Sequence, residues 1–392
     1  MTKEKPTEPR LRFPEFTDAW KQRKAMDIFK PVSDKGYTDL PILSASQEYG
    51  MVRRDEIGID IKFDKEAIVN YKRVLPGQFV IHLRSFQGGF AWSEIEGVTS
   101  PAYTILDFRE INSSKFWQYV LTSPNFIKKL ETVTYGIRDG RSISYSDFST
   151  LGFVLPTLPE QEAIGAFFSD LDQLITLHQR KLDSVKELKK ALLQKMFPKG
   201  NGNDFPELRF PGFTDAWKQR KLGEVVYRSN ITSSSKTLPR LEFEDINSGT
   251  GTLNKDICQK INDSRRGLEF KEGDILFGKL RPYLKNWWFA EHEGIAVGDF
   301  WNLKSDIWNN RFLYTYVQSK SFQVVANDTS GTKMPRSDWQ LVSKSIATFP
   351  TLPEQEAIGS FFFDLDQLIT LHQRQLDHLK LLKKALLQQM FI

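Results

Sequence analysis

The chain has 392 residues, so two or more domains are expected. Its net charge is +5 at pH 7 and its isoelectric point is near 8.9, which is compatible with a nucleic-acid partner but does not identify one. Its 30 Phe and 9 Trp residues exclude a disordered scaffold, and its single cysteine, Cys258, excludes an intramolecular disulfide and a cysteine-based metal cluster. No apolar run is long enough to span a membrane and the first residues lack a signal-peptide pattern, so we expect a cytoplasmic protein.

A short segment near the N-terminus returns in the middle of the chain. We call it the leading segment. It reads PRLRFPEFTDAWKQRK at 9–24 and PELRFPGFTDAWKQRK at 206–221. Ordinary packing does not require two distant segments to match so closely, so the match indicates an internal repeat. It predicts a tandem of two units, each built from a leading segment, a variable globular part and a long helix.

The two variable parts, at 25–155 and 222–349, share little sequence but keep a common skeleton. Each contains a turn followed by a short apolar strand and an arginine, then a strand that begins with glycine, then a polar loop with Gly, Arg and Ser. These three features lie at 74–84, 97–101 and 136–142 in the first part and at 270–281, 294–298 and 330–337 in the second. They predict two α/β (α+β) domains of one fold, dominated by short twisted strands, with a loop at 199–204 between the units.

Each unit ends in a predicted long helix, at 156–198 and 350–392, and the two copies match at all but eight positions. Apolar residues recur in steps of three and four, which is the seam of a coiled coil, and three further leucines are expected to widen the buried stripe. The seam residues are Ile164, Phe168, Leu171, Ile175, Leu182, Val185, Leu192 and Met196, and the further leucines are Leu174, Leu177 and Leu188. At 1.5 Å per residue each helix would be roughly 55 Å long. We expect the two helices to pack as an antiparallel coiled coil, with a pseudo-two-fold, circular arrangement that brings the N-terminus near the C-terminus.

Two seam positions are polar: His178, repeated as His372, and Lys189, repeated as Lys383. The histidine is either a metal ligand or proton relay, or a polar residue that fixes the register of the coiled coil, and the second interpretation is favoured because no ligand cluster accompanies it. The lysine is expected to extend its ammonium group out of the seam.

No catalytic motif is complete in the sequence. The run GDILFGKL at 273–280 resembles a phosphate-binding loop, but Leu280 stands where Ser or Thr should hold Mg²⁺, and Ile-Leu-Phe is typical of a strand. Glu160 and Glu162, repeated at Glu354 and Glu356, resemble a carboxylate pair, but acidic residues in the first helical turn are explained by the helix dipole. We therefore expect a protein without catalytic residues and without a metal site.

The sequence as a whole resembles a known family, the specificity subunits of type I restriction-modification systems. The resemblance covers nearly the whole chain. It is carried by the WKQRK motifs at 20–24 and 217–221, the run GDILFGKLRPY at 273–283, and the LPEQEAI helix starts at 158 and 352. It implies two target recognition domains, at 1–155 and 199–349, and two spacer helices, at 156–198 and 350–392.

The resemblance also implies a function and partners. Each recognition domain would read one half of a split, asymmetric site on double-stranded DNA, in a system of host defence. The helices would set the spacing and dock two methyltransferase (modification) subunits, with restriction (translocase-nuclease) subunits joining them. S-adenosylmethionine, ATP and Mg²⁺ would belong to those partners, with no cofactor in this chain.

The candidate DNA-binding residues lie in loops at strand ends, because Arg, Lys, Gln and Ser suit phosphate and base contacts. They are Arg84, Ser85, Gln87, Arg138, Arg141 and Ser142 in the first half, and Lys279, Arg281, Tyr283, Lys285, Lys333 and Arg336 in the second. Arg281 is the strongest candidate. A departure from the shared pattern is that Ser-Phe-Gln follows Arg84 where Pro-Tyr-Leu follows Arg281, so contacts do not transfer directly between the halves.

Three other functions remain open on the sequence alone. A coiled-coil adaptor that joins proteins without reading DNA would not need two unlike inserts with basic loops. A self-sufficient hydrolase would need a catalytic constellation, and a simple repressor would not need two large, unlike reading domains.

Overall fold

The structure is a computed structural model, and it describes residues 8–47, 49–57, 65–133, 143–198, 205–329 and 334–391. The chain forms two compact units, Met1–Leu177 with Leu376–Ile392, and His178–Gln375. Each unit therefore contains one globular part and a portion of both long helices. The loop predicted at 199–204 lies outside the described residues.

The first unit consists of short strands and helices followed by the start of a long helix. In chain order they are β1 (Lys21–Lys24), α1 (Ala25–Ile28), β2 (Phe29–Val32), β3 (Leu43–Ser46), β4 (Gly50–Arg53), β5 (Lys72–Val74), β6 (Phe79–Ile81), α2 (Ser85–Gly88), β7 (Ala91–Trp92), β8 (Gly97–Thr99), β9 (Thr104–Phe108), α3 (Ser114–Val120), α4 (Pro124–Glu131), α5 (Tyr145–Ser149), β10 (Gly152–Leu155) and α6 (Leu158–Lys195). Serine side chains cap three of the short helices, α3, α4 and α5, at Ser113, Ser123 and Ser144, which satisfies backbone N–H groups that a helix start leaves unpaired.

The second unit repeats this succession with small changes. Its elements are β11 (Lys218–Lys221), α7 (Leu222–Val225), β12 (Tyr227–Ser229), β13 (Thr232–Ser233), β14 (Arg240–Leu241), β15 (Ile246–Asn247), β16 (Thr252–Leu253), β17 (Gly267–Phe270), β18 (Ile275–Gly278), β19 (Trp287–Phe289), β20 (Gly294–Ala296), β21 (Phe300–Lys304), α8 (Asn310–Gln318), α9 (Lys320–Ala326), α10 (Trp339–Lys344), β22 (Ile346–Phe349) and α11 (Leu352–Met390).

The central sheet has the same topology in both units. Its strand order is β2-β9-β6-β7 in the first unit and β12-β21-β18-β19 in the second, with antiparallel pairing throughout. The middle strands β6 and β18 are fully buried. Strand β18 occupies the run that resembles a phosphate-binding loop, so its interpretation as a strand is confirmed. Shared topology confirms the prediction of two α+β domains of one fold.

The leading segment ties each globular part to the start of its long helix. Strand β1 pairs with β10, and β11 pairs with β22. Nε and Nη2 of Arg12 donate to the two oxygens of Glu160 at 2.6 and 2.8 Å, and the Glu160 carboxylate is inaccessible to solvent. The helix-dipole interpretation of Glu160 missed this contact, whereas Glu162 is exposed as that interpretation expects.

Each long helix also meets the backbone of its own domain. A Cβ atom added to Gly165 of α6 would lie 2.7 Å from the Phe116 nitrogen, and one added to Gly359 of α11 would lie 2.6 Å from the Phe312 nitrogen. One turn earlier, Gln161 Oε1 accepts the Ser113 N–H at 3.2 Å. Gln355 accepts the Asn309 N–H at 3.0 Å in the second unit. The domain therefore sits on the helix through main-chain contacts that are the same in both units.

The two long helices run antiparallel within each unit. In the first unit Asp172 of α6 pairs with Lys383 of α11, and in the second unit Lys189 of α6 pairs with Asp366 of α11, so residues later in one helix face residues earlier in the other. The predicted seam is confirmed, since all eight of its residues are buried or half-buried. The predicted widening is wrong, because Leu174, Leu177 and Leu188 are exposed to solvent by 39, 48 and 50%.

The polar seam residues behave differently from one another. The rings of His178 and His372 face each other with centroids 6.2 Å apart. The prediction that the lysine extends out of the seam is wrong for Lys189, which is 8% exposed. Its Nζ atom donates to Asp366 Oδ1 at 2.5 Å and to Gln318 Oε1 at 2.6 Å, because a carboxylate and an amide face it from α11 and α8.

The first leading segment lies near the end of α11, as predicted. The Leu11 N–H donates to the Gln389 carbonyl at 3.0 Å, so the first leading segment lies against the end of α11. The second leading segment makes the equivalent bond, from the Leu208 N–H to the Lys195 carbonyl at 2.9 Å.

Candidate nucleic-acid interface

The clearest candidate surface in the second unit is the loop that follows β18. It contains a single 3-10 turn, Pro282–Leu284, between two residues with left-handed backbones, Arg281 with φ of 49° and Lys285 with φ of 58°. A side chain with a Cβ atom rarely adopts this conformation, which costs about 1–3 kcal/mol and is concentrated at functional sites. The loop is therefore held in a strained shape by its surroundings.

Main-chain hydrogen bonds fix this loop between two other segments. The Arg281 N–H donates to the Pro335 carbonyl at 2.7 Å, and the Ser337 N–H donates to the Lys279 carbonyl at 2.9 Å. On its other side, the Gly249 N–H from the β15–β16 hairpin donates to the Lys285 carbonyl at 3.0 Å. Three segments thus form one edge, which we call the reading edge: 247–252, 279–285 and 334–337. Predicted contact residues lie in the second and third of these segments, and the first was not predicted.

The reading edge is basic. Lys279 and Arg336 share Asp299, at 3.4 and 2.9 Å. Within the part of the chain that the structure describes, neither Arg281 nor Lys285 has a carboxylate within ion-pairing distance, and both are exposed. The edge therefore offers two unpaired cations to a ligand and holds two more that are only partly neutralised by one carboxylate. A polyanion with closely spaced charges suits this arrangement.

Asp299 should make the stability of the second unit depend on acid pH. Burial opposes its ionisation, but the hydrogen bond from Arg336 and the charge of Lys279 outweigh burial and hold the pKa of Asp299 below its ordinary value. A lowered folded-state pKa stabilises the fold above the unfolded-state pKa, and this contribution is lost as pH falls through the folded-state value. We expect the free energy of unfolding to fall less steeply on acidification in Asp299→Asn than in the wild type, as measured by urea unfolding at a series of pH values. Parallel curves would contradict this expectation.

In the first unit the corresponding strand, β6, leads into the helical turn α2. Arg84 and Gln87 are exposed there, and the Gln87 side-chain oxygen accepts from Gln47 Nε2 at 3.1 Å. Gln47 lies at the tip of the β3–β4 hairpin, the counterpart of β15–β16. Ser85 is fully buried, and its hydroxyl oxygen accepts the His82 N–H at 2.8 Å. Ser85 therefore stabilises the turn and is no longer a candidate for DNA contact.

The structure brings most of the second-half candidates together. Lys279, Arg281, Tyr283, Lys285 and Arg336 all lie on the reading edge. Four other candidates, Arg138, Arg141, Ser142 and Lys333, lie outside the described residues.

Sequence reasoning missed the two hairpins. A signal was present in the second one, because Asn247-Ser-Gly-Thr-Gly251 between two strands is typical of a tight turn. Gly249 and Gly251 both have positive φ values, 75° and 69°, which confirms that the run is a turn.

Two features of the described residues concern metal ions and membranes. They contain no group of three or more His, Cys, Asp or Glu side chains placed to hold a metal ion. None of the helices described is both long and apolar enough to cross a membrane.

Comparisons with known proteins agree with this architecture. The family described as the type I restriction modification DNA specificity domain matches residues 18–187. The chain is 24% identical over 267 residues to the type I restriction enzyme MjaVIII specificity subunit of Methanocaldococcus jannaschii, covering 61% of each chain. It is 23% identical over 252 residues to the EcoDI specificity subunit of Escherichia coli, covering 56% of each. The chain thus spans about three-fifths of the curated relatives it matches.

Two solved structures share the fold over nearly the whole chain. The S subunit of a type I restriction-modification system from M. genitalium has a TM-score of 0.60 at 15% identity, over 98% of this chain and 99% of that one. A chain from a structure on complex assembly and conformational transition of the type I R-M system has a TM-score of 0.51 at 16% identity, over 94% of this chain and 96% of that one. The matched domain, the tandem fold and the related sequences agree that this chain is similar to the specificity subunits of type I restriction-modification systems.

Proposed function

We propose that this chain is the DNA specificity subunit of a type I restriction-modification complex and has no catalytic role of its own. The observation that carries the proposal is one fold used twice with different residues at the equivalent strand end. The loop after β18 presents Arg281, Tyr283 and Lys285, whereas the turn after β6 presents Arg84 and Gln87. Equivalent folds with unlike contact residues suit a bipartite, asymmetric site on double-stranded DNA, with one half-site for each unit.

The repeated parts suit partners that are themselves repeated. The long helices and leading segments are nearly identical in the two copies, and several helix residues that packing does not require, such as Leu177 and Leu371, are exposed apolar side chains. We infer that these surfaces dock two methyltransferase subunits and that restriction subunits join them. S-adenosylmethionine, ATP and Mg²⁺ then belong to those partners.

The decisive experiment is methylation mapping in cells. Cells with this chain and its methyltransferase are compared with cells that have the methyltransferase alone. We expect a split, asymmetric methylated motif that is present only with the chain. If an active methyltransferase gives no methylation that depends on the chain, the alternative of a protein-protein adaptor is favoured over DNA reading.

Arg281→Ala is expected to weaken binding of the mapped duplex by about 1–3 kcal/mol and to reduce the salt slope by about one, because an exposed guanidinium without a carboxylate partner is free to contact DNA. Binding is measured by fluorescence anisotropy at several salt concentrations. Arg281→Lys is the matched control, since it keeps the charge but loses the two-pronged hydrogen-bonding geometry of the guanidinium.

The control separates two kinds of contact. A phosphate contact predicts near-normal affinity for Arg281→Lys, whereas base reading predicts a loss with relaxed sequence preference in the second half-site. Unchanged affinity and salt slope in Arg281→Ala would remove this residue from the interface.

A further inference from the structure

The tip of the loop after β18 is apolar, although its flanks are cationic. Tyr283 is 56% exposed and Leu284 is 39% exposed, and both lie between the exposed residues Arg281 and Lys285. Among the described residues, the Tyr283 ring has no aromatic partner and its hydroxyl has no hydrogen-bond partner. The side chain therefore projects from the loop without being used by the fold.

The fold holds this tip in place before any ligand arrives. Pro282 is buried under the loop, the Leu284 N–H donates to the Arg281 carbonyl at 2.9 Å, and the Lys285 N–H donates to the Pro282 carbonyl at 2.9 Å. The left-handed residues at both ends turn the chain sharply outward and back. A tip of this kind presents its aromatic ring with little further loss of conformational freedom on binding.

The charge around the tip indicates which partner it meets. Arg281 and Lys285 flank Tyr283 in the chain, and Lys279 and Arg336 belong to the same edge. An apolar or aromatic wedge with basic neighbours is a known way to enter between base steps while the cations contact the adjacent phosphates. Aromatic stacking needs only the face of a base, and every base has one.

We propose that Tyr283 inserts its ring at a base step of the second unit's half-site, so that this half-site is read partly through how easily its DNA unstacks. This rests on the proposed function of the chain. The bound segment is double-stranded DNA that opens locally, with Arg281 and Lys285 on the flanking phosphates.

The first unit has no equivalent device. Its strand-end turn is the regular helical turn α2, and within the described residues all non-glycine residues with positive φ values, namely Asn262, Arg281 and Lys285, belong to the second unit. Its exposed amides, Gln47 and Gln87, suit hydrogen bonding to base edges. This chain would therefore read the two half-sites by different physical means, with insertion of a side chain only in the second.

The test uses the full chain in complex with its methyltransferase and the duplex identified by methylation mapping. The fluorescent base 2-aminopurine replaces one adenine at a time in either half-site, because its emission rises when it is unstacked. The adenines that the methyltransferase modifies are left unsubstituted, because a methyltransferase flips its target base out of the stack by itself. At the remaining positions we expect a rise in the second half-site and none in the first. Tyr283→Ala should abolish the rise and weaken binding by roughly 10- to 100-fold, whereas Tyr283→Phe should preserve both.

The outcomes separate this proposal from the proposed function. Specific binding with no rise in 2-aminopurine emission in wild-type complex overturns the insertion while leaving DNA reading intact. Equal affinity of wild type and Tyr283→Ala does the same. No specific binding by the wild-type complex overturns both, and loss of methyltransferase from the Tyr283→Ala complex instead assigns the tip to a protein contact. Because Tyr283 is exposed, circular dichroism is expected to show an unchanged fold for both variants.

Discussion

Lys189→Met is expected to lower the free energy of unfolding of the second unit by about 3 kcal/mol, because it leaves the largely buried Asp366 carboxylate, whose side chain is 14% exposed, without its cation. Asp366 Oδ1 accepts from Lys189, and Asp366 Oδ2 is buried without a hydrogen-bond partner in the structure. Burial already raises the pKa of Asp366, and the Lys189 ammonium group opposes that rise. Urea unfolding followed by tryptophan fluorescence measures the loss.

The duplication supplies a matched control. Lys383 pairs with Asp172 at the same helix positions, but these side chains are 26 and 36% exposed, and Tyr119 Oη also donates to Asp172 at 2.8 Å. Lys383→Met should therefore cost only about 0–1 kcal/mol. Lys189→Met with Asp366→Leu should recover most of the lost stability, since the unpaired buried charge is gone. Equal losses in the two single variants would show that burial of the pair is not what matters.

Arg209→Met is the second change with a large expected effect, about 3 kcal/mol of unfolding free energy. Nε and Nη2 of Arg209 donate to the Glu354 carboxylate at 2.6 and 2.7 Å, and that carboxylate is inaccessible to solvent. Removing the guanidinium leaves a buried charge at the start of α11 and frees the second leading segment. Thermal unfolding and limited proteolysis near residues 205–217 measure the two consequences.

Arg12→Met in the first unit should lower the free energy of unfolding by about 1 kcal/mol less than Arg209→Met does. Glu160 keeps a donor when Arg12 is removed, because Trp20 Nε1 donates to it at 3.3 Å, whereas the buried Trp217 Nε1 has no hydrogen-bond partner. A larger loss in Arg12→Met than in Arg209→Met would contradict the role assigned to the indole group.

The repeat made the architecture predictable. Two near-identical helices with a period of three and four residues imply that each buries its seam against the other, and the glycine-led strands fall where the shared skeleton placed them. Long, periodic segments can be predicted because many residues contribute to one signal.

Contacts between distant segments could not be predicted in the same way. The pairing of Lys189 with Asp366 requires knowing which helix face meets which, and the burial of Ser85 depends on a local turn that its sequence does not distinguish from an exposed loop. The hairpin at 247–252 contacts the loop after β18 through a main-chain hydrogen bond, and such a bond does not require particular side chains that a sequence pattern could show. The position of a surface residue depends on such tertiary contacts, so the sequence alone does not predict which segments the candidate site combines.

The main-chain contacts between each domain and its long helix have a consequence for the exchange of one domain for another. Gly165 and Gly359 lie against main-chain atoms of the helices that follow the central sheets, and Gln161 and Gln355 accept main-chain N–H groups. Because every residue except proline carries the same main-chain N–H, these particular contacts do not depend on the side chains of the insert, whereas the apolar contacts of Phe116 and Tyr119 with Phe391 and Phe168 do. An insert from another chain would therefore be held in the same position if it starts its helix at this point and keeps apolar side chains toward the long helices.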